Sequence, residues 1–139
     1  MTLVLPLSLL DEIRRHAVST YPEECCGFLI GRAGRDHLVE EIRKARNSAP
    51  DSRRTRYSID AQSIMEAEKR AAASGMVVLG YYHSHPDHPS VPSEFDRAHA
   101  WPSYSYLIMS IRMGSPDSSR SWRLDDAGGR FFREEMRIV

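Results

Sequence analysis

The residues with the clearest chemical potential are His83 and His85, followed downstream by Ser93 and Asp96. The apolar run 76–82 reads as a buried strand that ends in His83-Ser84-His85. Side chains at i and i+2 leave a strand on one face, so both imidazoles can converge on a single ion while Ser84 points away. Imidazole nitrogens bind zinc at about 2.0–2.1 Å, and two histidines plus one carboxylate leave the fourth tetrahedral position open. Asp96 is the candidate carboxylate, in the first turn of a short helix whose N-terminus favours negative charge. Zinc held this way lowers the pKa of a coordinated water toward neutrality, which makes a nucleophile at physiological pH. Taken singly, each residue has an ordinary explanation: Ser93-x-x-Asp96 before an apolar face is a common helix start. Their combination on one strand, loop and helix points to a metal centre.

The elements that must position these residues can be read along the chain. Leu9, Leu10, Ile13, Ala17 and Tyr21 recur at helical spacing, and Ser8 with Asp11 three positions on supplies an N-cap signal, so a helix is expected over 8–20, ended by Pro22. The run 25–30 reads as a buried strand closed by Gly31 and Gly34, with 37–45 as its hairpin partner. The polar stretch 47–56, with Pro50, Asp51, Arg53, Arg54 and Arg56, reads as a loop. Asp60 caps a second helix through about Ser74, with Ile64, Ala67 and Ala71 on one face and Gly75 as terminator. Pro86, Pro89 and Pro92 force an irregular loop after the histidines. A short helix follows from Ser93 to about Ala100, then a buried strand over 104–111. Segments 119–125 and 130–138 pair as a closing hairpin around Ala127-Gly128-Gly129. The order α, β, β, α, β, short α, β, β, β predicts a mixed sheet with helices packed on it, in the α/β or α+β class, as one domain over 1–139.

Composition excludes several function classes. The 139 residues carry a formal net charge of zero, so no bulk charge draws the chain to nucleic acid or an anionic membrane. No apolar run approaches the ~20 residues of a membrane helix. The N-terminal apolar stretch lacks a basic lead and a small-residue cleavage site, so no secretory signal is expected. Cys25 and Cys26 are adjacent, a spacing that rarely makes an unstrained disulfide, so both are read as reduced, small core residues of a cytoplasmic protein.

The segment Gly80-Tyr81-Tyr82-His83-Ser84-His85-Pro86, followed by Pro92-Ser93-Glu94-Phe95-Asp96, resembles the JAMM (MPN+) motif of zinc metallopeptidases. That motif runs His-x-His, seven residues of which the first is proline, then Ser-x-x-Asp, so that Ser93 stands eight positions and Asp96 eleven after His85. An upstream element, Pro22-Glu23-Glu24-Cys25-Cys26-Gly27, is similar to the family's glutamate three residues before a glycine. The resemblance is to the stand-alone prokaryotic members and implies a JAMM/MPN, cytidine-deaminase-like architecture. It further implies that His83, His85 and Asp96 bind Zn²⁺, that Glu24 shuttles the proton from the attacking water to the leaving amine, and that Ser93 donates to the oxyanion. The division of labour is sound chemically, since a metal-activated water needs a carboxylate to take its proton and a forming oxyanion needs a donor. Glu23 is the competing base; on an extended strand only one of the pair reaches the metal, and the spacing to Gly27 favours Glu24. Asp87 and His88 are expected to be exposed, and His16, His37 and His99 to be surface or core residues.

The same resemblance implies a substrate: a ubiquitin-like or sulfur-carrier protein ending in Gly-Gly, released from a C-terminal adduct or from a lysine. An extended tail of that kind can lie beside a sheet edge and enter a narrow slot. Arg53, Arg54 and Arg56 beside Tyr57 are either a solvated loop or a clamp for an acidic carrier. Phe131 and Phe132 on an apolar edge of the closing hairpin suggest a homodimer. The alternative function is a non-catalytic MPN-type scaffold, which would have no reason to keep Glu24, His83, His85, Ser93 and Asp96 together. A zinc nucleobase deaminase would need a Pro-Cys-x-x-Cys element, which the sequence lacks.

Overall fold

The computed structural model describes residues 1–127 and 129–139. Its elements are β1 (Thr2–Leu5), α1 (Leu7–Thr20), β2 (Cys26–Arg32), β3 (His37–Ala45), α2 (Ala61–Ala73), β4 (Val77–Pro86), α3 (Glu94–His99), β5 (Ser105–Arg112), β6 (Ser115–Leu124) and β7 (Phe131–Ile138). The α+β class expected from the sequence stands. The sheet closes on itself in the order β1-β3-β2-β4-β5-β6-β7, with β1 parallel to both β3 and β7. β4 and β5 are parallel, and the remaining neighbours are antiparallel.

Three expectations are corrected here. The short N-terminal apolar stretch is a strand, β1, whose Leu3 and Leu5 are fully buried and whose pairing to β7 and β3 closes the sheet. Ser8 does not cap α1. The helix starts at Leu7 directly out of β1, Pro6 holds the N-cap position, and the Pro6 carbonyl accepts from the Leu9 and Leu10 amides. Proline suits this place because it has no N–H to leave unpaired and its φ is already near the helical value. The closing hairpin is not a free edge: β7 pairs with β6 through Phe131–Glu134 and with β1 through Glu135–Ile138. Phe131 packs on Tyr106 and only Phe132 is exposed. Gly128, expected in the hairpin turn, lies outside the described residues.

Alternation on the central strands explains the two cores. Leu29, Leu79, Leu107, Met109 and Ile111 face α1 and meet its buried stripe of Leu10, Ile13 and Ala17. Phe28, Ile30 and Val78 face the other way and meet Ala67 and Ala71 of α2. β2 and β4 are thus covered on both sides, which is why they read as nearly continuous apolar runs. Asp60 caps α2 as expected, accepting from the Ser63 amide at 2.7 Å, and Gly75 follows with φ of +70°.

Candidate metal centre

β4 runs on through the histidines to Pro86, in register with β2 on one side (Cys26 opposite His83) and β5 on the other. Tyr81 belongs to the core on the α2 side, so His83 and His85, two and four residues on, share that side; Tyr82 belongs to the core on the α1 side. Ser84 points away from the histidines as expected, its Oγ accepting from the Cys25 amide at 2.8 Å. Immediately before β2, Cys25 is buried in the core against α1 and the buried Glu24 falls on the histidine side. Gly27 has a steric reason to be glycine: a Cβ there would lie 2.3 Å from the Tyr82 ring.

The proline loop and α3 bring in the carboxylate. Asp87 is fixed by its amide to the Ile111 carbonyl and by its side chain to the Tyr21 hydroxyl and Met113 amide. The Trp122 indole donates to the Ser90 carbonyl and Ser110 Oγ to that of His88. Asp87 and His88 are exposed, as expected. Ser93 and Asp96 then form a capping box: Ser93 Oγ accepts from the Asp96 amide at 3.0 Å, and Asp96 Oδ2 from the Ser93 amide at 2.9 Å. This box aims the buried Asp96 carboxylate at the histidines.

Three ligand atoms converge. His83 Nε2 lies 3.2 Å from His85 Nε2 and 3.2 Å from Asp96 Oδ2, and His85 Nε2 lies 3.0 Å from Asp96 Oδ2. Ligands on a tetrahedral zinc with bonds of about 2.0–2.1 Å are roughly 3.3 Å apart, so this triangle fits the ion. His85 Nδ1 lies 2.8 Å from the Pro89 carbonyl oxygen, which can only accept. In the neutral ring Nδ1 therefore carries the proton and Nε2 turns its lone pair into the cluster. Burial lowers the His83 pKa, against the raising effect of the neighbouring Asp96 carboxylate. Burial pushes Asp96 up, but His83, His85 and the Ser93 amide outweigh it and hold the carboxyl well below the ordinary range.

Glu24 stands beside this triangle. It is 3% exposed, its carboxylate falls within 4.8 Å of the ring nitrogens of both histidines, and its Oε1 has no hydrogen-bond partner among the described residues. Burial, reinforced by the Asp96 charge, raises its pKa to about 9. Glu24 and Asp96 could each complete a set with the two histidines. Asp96 is the better third ligand, being closer and held as the anion, while Glu24 is a displaced carboxylate whose charged form a cation would restore. Glu23 is exposed and pairs with Arg53 at 3.6 Å, so the two neighbouring acids do separate to opposite environments. Ser93, Glu24 and His85 line one cleft with Thr55, Pro89 and Val91. A second cleft of about 420 Å³ reaches Asp96 and is lined also by Tyr57, Phe95, Trp101 and Tyr106.

Sequence reasoning missed two residues here. Tyr57 stacks on His83, ring centroids 4.4 Å apart and planes 24° from parallel. Asn47 donates to the Glu24 carbonyl at 3.1 Å and binds the loop on both sides of Tyr57. Asn47 had no signal beyond its place in the polar stretch 47–56, and Tyr57 none beyond its place beside the Arg53-Arg54-Arg56 cluster. Arg56 of that loop lies over the Phe95 ring at 4.8 Å. His16 and His37 are partnered in the core, His16 to the Tyr82 hydroxyl and His37 to Ser105 Oγ.

Residues 6–125 match the family described as prokaryotic homologs of the JAB domain. A desampylase of Haloferax volcanii is 35% identical over 104 residues, covering 74% of this chain and 73% of its own. A probable TtuB-protein conjugate cleaving protease of Thermus thermophilus is 33% identical over 108 residues, covering 78% and 70% respectively. A solution structure of a Desulfitobacterium hafniense protein superposes with a TM-score of 0.84 at 32% identity, covering 100% of this chain and 93% of its own. A JAB1/MPN domain protein from Archaeoglobus fulgidus, at 20% identity and a TM-score of 0.60 over 100% of this chain and 97% of its own, shares the fold.

Proposed function

The chain belongs to the prokaryotic JAB family, and from that premise we propose that it is a zinc-dependent peptidase cleaving conjugates of ubiquitin-like proteins at the C-terminal Gly-Gly. The observation that carries the reading is the triangle of His83 Nε2, His85 Nε2 and Asp96 Oδ2 at 3.0–3.2 Å, with a buried carboxylate oxygen of Glu24 beside it that has no partner among the described residues. A buried polar atom without a partner costs about 1–3 kcal/mol, so a group left this way in a cleft marks a working site rather than a structural one. The desampylase and the conjugate-cleaving protease among the relatives support a hydrolase acting on a conjugate.

His83, His85 and Asp96 would hold the metal. Zinc held there would supply Lewis acidity toward a carbonyl oxygen and toward water near neutral pH. Glu24 takes the proton of the attacking water and hands it to the leaving amine nitrogen. Ser93 Oγ spends a lone pair on the cap, which leaves its O–H free to donate to the oxyanion. The carrier's flexible tail enters by the cleft, and the Arg53-Arg54-Arg56 surface steers an acidic carrier toward it. One domain, 1–139, holds the whole apparatus. No described helix is long and apolar enough to cross a membrane.

The test is to incubate the zinc-loaded protein with two substrates, a Gly-Gly carrier linked to a lysine side chain and the same carrier extended by a C-terminal cysteine, and to read intact masses. Release of carrier ending in Gly-Gly from either substrate supports the reading and tells isopeptide from peptide. Both substrates surviving intact, with zinc bound, would return the chain to the scaffold alternative.

A further inference from the structure

The two histidines are held by different means. His85 has the usual arrangement for a metal-binding imidazole, its distal nitrogen donating to the Pro89 carbonyl at 2.8 Å. His83 has none: its Nδ1 is buried and has no partner among the described residues. What lies against the His83 ring instead is the Tyr57 ring, in the stack described above. Tyr57 is itself fixed. The Asn47 amide group donates to the carbonyl of Arg56 at 3.0 Å and accepts from the amide of Ser58 at 3.2 Å, so it grips the residues on either side. Ser48 ties in Ser58 again through its amide at 2.9 Å. The same loop touches the base: the Glu24 amide donates to the Arg53 carbonyl at 2.7 Å, and Asn47 donates to the Glu24 carbonyl at 3.1 Å.

We infer that Tyr57 is the positioning residue for His83, orienting by ring stacking the ligand that lacks an orienting hydrogen bond. The inference rests on His83 being a metal ligand, as proposed above. An imidazole free to rotate about its last torsion presents Nε2 to the metal only part of the time; a flat ring against its face restricts that rotation without needing a donor or acceptor. Tyr57 also lines the cleft beside Asp96 together with Phe95, Trp101 and Tyr106. A substrate tail lying there touches the same ring that orients the ligand, so loop 46–58 links occupancy of the cleft to the alignment of His83 and of Glu24. The hydroxyl of Tyr57 has no part in this; the aromatic face does.

The experiment reads zinc affinity by competition with a chromophoric chelator in wild type, Tyr57→Phe and Tyr57→Leu, with thermal melts of the metal-free proteins alongside. Tyr57→Phe keeps the face and should bind zinc within about twofold of wild type, whereas Tyr57→Leu keeps an apolar side chain but not the face and should bind about 10–100-fold more weakly. The metal-free melts should coincide. Tyr57→Leu binding zinc like wild type, or Tyr57→Phe losing as much as Tyr57→Leu, overturns the inference. Should Tyr57→Leu melt early without metal, Tyr57→Trp decides: an aromatic face that restores zinc affinity supports the stacking role, and one that does not overturns it. A wild-type chain that binds no zinc removes the proposed function and this inference together. Normal wild-type binding with an unaffected Tyr57→Leu removes this inference alone.

Discussion

Glu24 and Glu134 are both buried glutamates on strands or strand ends of the same closed sheet, at 3% and 2% exposure, and their surroundings differ completely. Glu134 on β7 is saturated: Oε1 accepts from Ser105 Oγ at 2.8 Å and Ser121 Oγ at 2.7 Å, and Oε2 pairs with Arg123 Nε. His37 extends the network through Ser105. Glu24 leads into β2 with Oε1 unpartnered among the described residues, beside two imidazoles and a carboxylate that crowd their polar atoms together. Burying a charge is tolerable when its lone pairs are filled and costly when they are not. The first cluster fills the carboxylate's lone pairs and spends its polarity on holding β5, β6 and β7 in place, with Arg123 Nη2 its one buried atom without a partner among the described residues. The second keeps valences open at the rim of two clefts, where a cation and a substrate can fill them.

The contrast can be broken most sharply by emptying the open cluster. Stripping metal with a chelator, or making His85→Ala, should abolish hydrolysis and bound zinc, and at zinc 100-fold above its Kd the lost ligand should cost about 2.7 kcal/mol of stability in a melt. The fold of metal-free protein should survive by circular dichroism, because the two apolar cores do not include the triangle. The closed cluster should respond in the opposite way. Glu134→Ala leaves Arg123 buried without its partner and should lose about 3–5 kcal/mol in denaturant unfolding while zinc content stays at wild type. Equal effects of both changes on stability and on zinc would erase the distinction.

Ser93 belongs to both worlds, as a cap and as a donor, and should split accordingly. Ser93→Ala should cost about 1 kcal/mol in stability through the lost cap. The same change should lower kcat by about 10²–10³ if its hydroxyl meets the oxyanion. A stability loss with kcat intact would leave it a cap only. The smallest effect is expected at the surface: Arg53→Ala with Arg54→Ala should raise KM for an acidic carrier several-fold at low salt and little at high salt, since exposed charges are screened within about 10 Å at 0.1 M. Unchanged KM at low salt would leave the arginines to their local contacts with Glu23 and the loop.

The open cluster was far more legible in the sequence than the closed one, for physical reasons. His83 and His85 sit on a strand whose period of two fixes their shared face, and Ser93 with Asp96 sit at a helix start whose capping geometry is equally local. Local rules of this kind survive into three dimensions. Glu24 needed the spacing to Gly27, which the structure explains through Tyr82. The Glu134 network joins β5, β6 and β7 across residues 105 to 134, and nothing local distinguishes Ser105 or Ser121 from surface serines. Sheet closure was hidden for the same reason: β1 is four residues long and gains its meaning from pairing with β7 at the far end of the sequence. Ser8 was misread because the strand before it was missed; once Thr2–Leu5 is a strand, Pro6 becomes the junction and the helix begins at Leu7.

The claim that the open valence of Glu24 is the chemistry, and not a flaw in packing, has a direct test in one sample. Glu24→Gln is nearly isosteric and leaves His83, His85 and Asp96 in place, so the purified variant should carry about one zinc per chain by native mass spectrometry. The same sample should cleave a lysine-linked Gly-Gly carrier about 10²–10⁴-fold more slowly than wild type. Zinc retained together with wild-type turnover would contradict the account, because the proton of the attacking water would then be taken by some other group.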